Sequence, residues 1–187
     1  MNRTNSVIKF DLHIHSKKSD YKESDGIVDN STKENLSVLF QKLNENNVAL
    51  FSITDHNRFD ADLYKAICEK IKNEHDIYPN VLNVVAGVEF DVKLDEDMEK
   101  CHIITIFDAK NNSDYDKIER IINENKLERK EDYYNKERFE QLLKDIKLNT
   151  ILIVHQKKEL SNHDGKNASL SDACSDADEI TRMGYID

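Results

Sequence analysis

Histidine and carboxylate side chains stand where the short apolar runs of this chain end. His13 and His15 close the first run, His56 follows the second, Glu89 follows the third, and His155 ends the last. Residues i and i+2 of a β-strand project from the same face, so His13 and His15 can bind one ion together. Imidazole and carboxylate groups are suitable ligands for Zn²⁺, Mn²⁺ and Fe²⁺. The pattern therefore predicts a divalent metal site.

Each of these residues also has an ordinary structural explanation when it is taken alone. His56 could end a turn after a buried strand, Glu89 could be a solvated carboxylate in a hairpin, and His102 could be a core histidine. A single His-x-His pair is a weak motif. Four successive strand ends that all carry His or Glu favour one shared site over independent coincidences.

The elements that must bring these residues together are indicated by the hydrophobic periodicity. Short β-type runs alternate with amphipathic helical windows, which is typical of an α/β protein with a largely parallel sheet. In an α/β barrel the carboxyl ends of the strands meet at one rim, so side chains distant in sequence become neighbours there. The predicted strands cover 7–12, 48–53, 81–88, 89–94, 102–107 and 150–154, with 89–94 and 102–107 as an antiparallel pair. The first predicted helix follows a Ser31/Glu34 capping box, and the second begins near 60. The other predicted helices cover 114–123, 131–147 and, weakly, 169–181.

Composition limits the classes of protein to which the chain can belong. The chain has 27 Lys and Arg residues against 37 Asp and Glu residues. The resulting net charge of −10 argues against a protein that binds nucleic acid through its overall charge. No apolar stretch approaches the ~18 residues of a membrane helix, and Arg3 and Lys9 interrupt any signal-peptide core. The cysteines at 68, 101 and 174 form no CxxC pair, so reduced thiols are expected. These features predict one cytoplasmic domain over 1–187 with no membrane association.

A series of ordered motifs carries a family resemblance. The motifs are Asp-Leu-His-Ile-His-Ser at 11–16, Ser-Asp at 19–20, Ile-Thr-Asp-His-Asn at 53–57, Gly-Val-Glu at 87–89, Cys-His at 101–102 and Val-His at 154–155. Over 9–156 the chain resembles the polymerase and histidinol phosphatase (PHP) family of metal-dependent phosphoesterases. The resemblance implies a distorted (β/α)7 barrel with up to three divalent metals at its carboxyl-end rim. It also implies hydrolysis of a phosphate ester. Because clustered divalent ions lower the pKa of a bound water, we expect a mono- or diester to be hydrolysed through a metal-bound hydroxide.

The resemblance also implies roles for individual residues. It assigns His13 and His15 to one metal, with Glu89 bridging this ion to a second one that is held by His102 and His155. A third metal would be held by Asp20 and His56, and Asp25 is a rival to Asp20 because Asp25-Gly26 also fits the family pattern.

Further expected roles concern catalysis and substrate binding. The resemblance implies the role of Asp55, whereas Arg58 is a candidate because it directly follows the motif at 53–57 and its guanidinium can bind a phosphate through two hydrogen bonds. Together with Glu89, the expected catalytic residues are Asp55, which would orient its neighbours, and Arg58, the preferred phosphate clamp. The lysines that flank the motifs are further candidates for substrate contacts, although solvated surface lysines are the more common case. They are Lys17, Lys18, Lys157 and Lys158.

One departure from the family pattern leaves alternatives open. The family closes its site with an Asp-x-His pair, and the chain after His155 has none. We therefore expect a barrel that is incomplete at its C-terminal end, as in the N-terminal part of a longer protein, with its best-formed metal position at Glu89, His102 and His155. The alternatives are a non-catalytic or regulatory module attached to a partner domain such as an ATPase, and an amidohydrolase-type metallohydrolase. A DNA or RNA substrate is weakened by the net charge but stays open.

Overall fold

The computed structural model describes residues 8–19, 32–97 and 99–155. Asp20, Asp25, Ser31, Lys157, Lys158 and the weak helix predicted at 169–181 lie outside these ranges, so the predictions that involve them are not tested. The strands are β1 Lys9–Ile14, β2 Val48–Ile53, β3 Asn83–Val84, β4 Ala86–Lys93, β5 Cys101–Phe107, β6 Tyr134–Asn135 and β7 Thr150–His155. The helices are α1 Leu36–Glu45, α2 Ala61–Asn73, α3 Asn112–Glu124 and α4 Lys136–Ile146.

The strands form two sheets with different architectures. The first has the order β1-β2-β3 and is parallel, while the second has the order β6-β4-β5-β7. In the second sheet β5 runs antiparallel to both β4 and β7, and only the short β6 pairs in parallel. The predictions of an α/β protein and of an antiparallel pair after Glu89 are confirmed. The expectation of a largely parallel sheet is wrong for the second sheet, because β7 as well as β4 pairs with β5, so that β5 lies between these two strands and runs opposite to both. Within the described ranges the strands do not close into a barrel.

The two sheets meet between the end of β2 and the middle of β4. His56 and Glu89 form an isolated parallel bridge, in which Glu89 N donates to Asp55 O (3.2 Å) and Asn57 N donates to Glu89 O (2.8 Å). Gly87 permits this close approach, because a Cβ at that position would lie 2.3 Å from Ser52 Oγ. The junction depends on a residue without a side chain and places the histidine after β2 directly beside β4.

A buried tyrosine ties the same junction together. The Tyr64 hydroxyl accepts from Gly87 N (2.9 Å) and donates to Ile53 O (2.6 Å), so it links β4 to β2. Burial raises the pKa of Tyr64 well above its ordinary value, and its hydrogen bonds only partly offset this effect. The hydroxyl therefore stays protonated and keeps its donor.

The helices pack their apolar faces on the sheets, largely as the periodicity predicts. Leu36, Phe40 and Leu43 of α1 are buried, and α2 begins after Asp60, whose carboxylate accepts from Leu63 N (2.9 Å). None of the helices in the described ranges is long and apolar enough to cross a membrane.

Some predicted boundaries are wrong because pairing between distant strands sets them. The helix predicted to begin near 131 begins at Lys136, because Asn135 caps it by accepting from Arg138 N (2.9 Å) and Tyr134 pairs with Val92 of β4. The single strand predicted over 81–88 is divided between β3 and β4, which belong to different sheets.

Candidate metal centre

Glu89 lies at the centre of a cluster of histidines. Its Oε2 is 3.2 Å from His13 Nε2, 3.4 Å from His15 Nε2 and 3.3 Å from His56 Nδ1. Its Oε1 is 2.5 Å from His102 Nδ1, and its side chain is only 1% exposed. The carboxylate therefore contacts histidines from both sheets. Glu89 was predicted to follow the strand over 81–88 and to begin the strand over 89–94, and this boundary is wrong. Glu89 lies within β4, which runs from Ala86 to Lys93, and the approach of the first sheet brings the histidines to the middle of that strand.

Strand register explains which residues face this cluster. In the β4–β5 pair Asp91 lies directly opposite His102, and Glu89 lies opposite Ile104. Because side chains alternate between faces, Glu89 and Asp91 project from the same face of β4. His102 thus faces both carboxylates, and its Nε2 lies 3.1 Å from Asp91 Oδ1.

The histidines and carboxylates form two groups with the geometry and chemistry of a metal site. In each group one potential ligand atom per residue lies within 4.8 Å of the others. The first group consists of His13, His15 and Glu89, and the second, which is entirely buried, consists of His56, Asp91 and His102. Mixed imidazole and carboxylate donors fit borderline divalent ions such as Zn²⁺, Mn²⁺ or Fe²⁺.

The second group contains a residue that sequence analysis missed and differs from the expected grouping. Asp91 was not among the candidates, although its i+2 spacing from Glu89 is the spacing that indicated a shared face for His13 and His15. His102 lies with Asp91 and His56, and its Nδ1 also contacts Glu89. The expected metal position at Glu89, His102 and His155 is not tested, because the side chain of His155 lies outside the described part of the structure. The backbone of His155 lies opposite His102 in the β5–β7 pair. The metal role of His155 and the pairing of Asp20 with His56 stay predictions.

Asp55 organises the loop that follows β1. Its Oδ1 accepts from Ser16 N (2.6 Å) and Ser19 Oγ (2.8 Å), and its Oδ2 accepts from Ser16 Oγ (2.5 Å). Ser19 Oγ also accepts from His56 N (3.0 Å) and lies 3.4 Å from His15 Nδ1. Burial raises the pKa of Asp55, and the hydrogen bonds from the two serines oppose that rise. The carboxylate thus connects, through Ser19, to a histidine from each candidate group.

Arg58 is bound to backbone carbonyls beside the cluster. Its Nη1 donates to Asn57 O (2.9 Å), and its Nη2 donates to Leu127 O (2.6 Å). Lys18 Nζ lies 3.7 Å from Asp60 Oδ2. Neither arrangement tests phosphate binding, so the roles of Arg58 and Lys18 as substrate contacts stay predictions.

The close contacts between histidines and carboxylates shift the pKa values in opposite directions. Burial would raise the pKa of Glu89, but hydrogen bonds with His102 and His13 and the positive charge of protonated histidines lower it far below its ordinary value. Burial would lower the pKa of His102, but its contacts with Asp91 and Glu89 raise it above its ordinary value. In the metal-free protein the protonated form of His102 is therefore stabilised by the two carboxylates that face its ring nitrogens.

These shifts predict how the stability of the metal-free protein depends on pH. A histidine whose pKa is raised by folding stabilises the fold at pH values below its unfolded pKa of about 6.5, and this contribution is lost as the pH rises through the folded pKa. As the pH falls below neutral, we expect the free energy of unfolding to rise less for the His102→Gln protein than for the unsubstituted protein. Urea denaturation between pH 5.5 and 8.5 in the presence of chelator measures the effect. His75→Gln, at an exposed position outside the cluster, is the control, and identical pH profiles for His102→Gln and the unsubstituted protein would contradict the expectation.

The fold and the cluster together define an α/β protein with a candidate multinuclear metal centre at the junction of two sheets. The family model of the PHP domain matches residues 11–167. The chain therefore belongs to the PHP family, which confirms the resemblance carried by its motifs. Members of this family are generally metal-dependent hydrolases, and PHP domains bind divalent metals. A comparison with curated proteins found no match for the chain.

Proposed function

We propose that this chain is a metal-dependent phosphoesterase that hydrolyses a phosphate mono- or diester. The observation that carries the proposal is the position of Glu89, a buried carboxylate in contact with four histidines that lie on or just after strands of both sheets. A carboxylate with two oxygens can connect neighbouring ions, and paired divalent ions are a common arrangement in enzymes that act on phosphate esters. Membership of the PHP family supports the same reaction class.

The proposed ligands follow from the two groups. His13, His15 and Glu89 would hold one ion, and His56, Asp91 and His102 would hold another. Glu89 would be shared, since its carboxylate also contacts His56 and His102 of the second group. His155 and Asp20 remain proposed as further ligands. The ions would be Mn²⁺, Zn²⁺ or Fe²⁺, as the mixture of imidazole and carboxylate donors suggests.

The ions would attract the substrate, and the protein groups around them would keep the site ordered. Bound divalent ions would lower the pKa of a water molecule and stabilise negative charge on the phosphoryl oxygens. Their positive charge would also offset the net charge of −10, which by itself repels an anionic substrate. Asp55 would hold the loop after β1 in place through Ser16 and Ser19, and Arg58 is the proposed phosphate contact.

Metal content and hydrolysis measured on the same samples test this proposal. The purified chain is analysed for bound metal by mass spectrometry and assayed with p-nitrophenyl phosphate and bis-p-nitrophenyl phosphate, a monoester and a diester. We expect hydrolysis of at least one substrate, loss of activity after chelation, and recovery with Mn²⁺ or Zn²⁺. His13→Ala/His15→Ala should contain less metal, whereas His75→Gln should match the unsubstituted chain.

Three results would contradict the proposal in different ways. Activity that survives complete demetallation would exclude the metal-assisted mechanism. Unchanged metal content in the double variant would exclude the first ligand group. Bound metal without hydrolysis of either substrate would contradict catalysis and favour a metal-binding module without activity.

A further inference from the structure

We infer that Asn57 is a positioning residue that holds Asp91 as a one-oxygen ligand of the second group, an inference that rests on the proposed metal binding. Asn57 lies directly after His56 and is 1% exposed. Its φ of 51° is in the left-handed region, which asparagine adopts more readily than most residues. This conformation occurs where the extension of β2 meets β4, since Asn57 N donates to Glu89 O (2.8 Å).

The Asn57 side chain makes a reciprocal pair of hydrogen bonds with Asp91. Its Oδ1 accepts from Asp91 N (2.8 Å), and its Nδ2 donates to Asp91 Oδ2 (2.5 Å). The amide thus binds the backbone N–H of Asp91, as a paired strand would, and it also fixes the carboxylate. A side chain held at two points on a rigid strand has little freedom to rotate.

This pair of bonds distinguishes the two oxygens of Asp91. Oδ2 is bound by the Asn57 amide, while Oδ1 lies 3.1 Å from His102 Nε2. Chelation of an ion by both oxygens would make Oδ2 share its lone pairs between the ion and the short 2.5 Å hydrogen bond from Asn57, which favours Oδ1 as the ligand atom. Asp91, which is fully buried, would therefore offer Oδ1 to an ion shared with His56 and His102.

The type of residue at position 57 matters for two separate reasons. Glycine would keep the left-handed backbone but would remove both side-chain bonds to Asp91. Aspartate would keep the shape of the side chain, but it would replace the donor with a second carboxylate beside Asp91. Both changes should misplace the ligand oxygen, and the loss of a group that orients a ligand typically weakens metal binding about 10- to 100-fold.

Metal titration of matched variants tests the inference. Mn²⁺ binding is measured by calorimetry on the full chain carrying His13→Ala/His15→Ala, in which the second group remains, with and without Asn57→Gly or Asn57→Asp. We expect each Asn57 variant to weaken the remaining site about 10- to 100-fold. Asn47→Gly is the matched control, because Asn47 has a φ of 56° but is exposed between α1 and β2. The control should bind Mn²⁺ like its parent.

Two spectroscopic measurements separate a positioning role from a general effect on folding. The visible absorption of bound Co²⁺ should change with Asn57→Gly and stay unchanged with Asn47→Gly, because it reports ligand geometry directly. In the unsubstituted chain, NMR resonances of the Asn57 side-chain amide should shift on saturation with Zn²⁺, since its partner carboxylate would become a ligand. The NMR measurement needs no variant, so it tests the link between Asn57 and metal binding by Asp91 even if both Asn57 variants fail to fold.

The outcomes distinguish this inference from the proposed function. If the unsubstituted chain binds no metal, the proposed function fails. If the chain binds metal but the folded Asn57 variants bind Mn²⁺ with the affinity of their parent, only the role of Asn57 is overturned. An Asn57 amide resonance that does not move while the His102 ring resonances shift would overturn it as well.

Discussion

Replacing Glu89 with glutamine is expected to lower hydrolysis about 10³-fold, corresponding to about 4 kcal/mol of lost charge stabilisation in the transition state. The substitution keeps the size of the side chain and removes its charge. Both oxygens of Glu89 contact histidines, at distances from 2.5 to 3.4 Å, so the change affects both ligand groups together. An amide is a poor ligand for the ions that a carboxylate would share. Bound metal should therefore fall in parallel with activity.

The measurement combines metal analysis with the rate constant kcat for the better of the two aryl phosphate substrates. Glu45→Gln is the control, because Glu45 is an exposed residue at the end of α1 whose contacts with Lys42 (3.6 Å) and Gln41 (2.8 Å) lie at the surface. This control should retain both metal and activity. A Glu89→Gln protein that keeps its full metal content would refute the assignment of Glu89 as the shared ligand.

Replacing Asp55 with alanine is expected to lower the free energy of unfolding of the metal-free chain by about 3 kcal/mol. The carboxylate accepts hydrogen bonds from one backbone and two hydroxyl donors of Ser16 and Ser19, all in the interior. A buried donor that loses its partner costs about 1–3 kcal/mol, although hydroxyl groups can partly recover by rotating. The loop between His15 and Ser19 should loosen, so metal affinity should fall together with stability.

Asp55→Asn separates the loss of charge from the loss of hydrogen bonds. Its carbonyl oxygen can still accept from Ser16 N, and its amide can donate to the Ser16 hydroxyl, so we expect a smaller cost of about 1 kcal/mol. Urea denaturation and Mn²⁺ titration check both variants. Asp62→Ala, at a side chain that is 71% exposed on α2, should leave both quantities unchanged. Equal stability of the Asp55→Ala and Asp62→Ala proteins would contradict the orienting role.

The secondary structure could be predicted closely wherever local periodicity carries the information. The strand over 48–53 has the predicted bounds, and the helix predicted from about 60 begins at Ala61 with Asp60 as its cap. Such elements are visible in a sequence because capping and the alternation of apolar side chains are local properties. The start of α4 could not be predicted in this way, because the pairing of Tyr134 with Val92 joins residues far apart in the chain.

Residue types and their spacing indicated a metal site and most of the residues that form the candidate cluster. The histidines at 13, 15 and 56 and the carboxylate at 89 were candidates from residue type and spacing, whereas the family resemblance added His102, and the ordered motifs led to the correct family. This was achievable because ligand residues must be of particular types, and their spacing along a strand follows from the geometry of that strand.

The grouping of these residues follows from contacts between strands that are distant in the sequence. The tertiary structure placed Glu89 in the middle of β4, brought His102 to Asp91 and His56, and revealed Asn57 as the partner of Asp91. Each of these facts depends on the bridge between His56 and Glu89 and on the antiparallel register of β4 with β5. Both are contacts between separate strands whose register is set by packing across the whole domain, and a local sequence pattern does not contain that information.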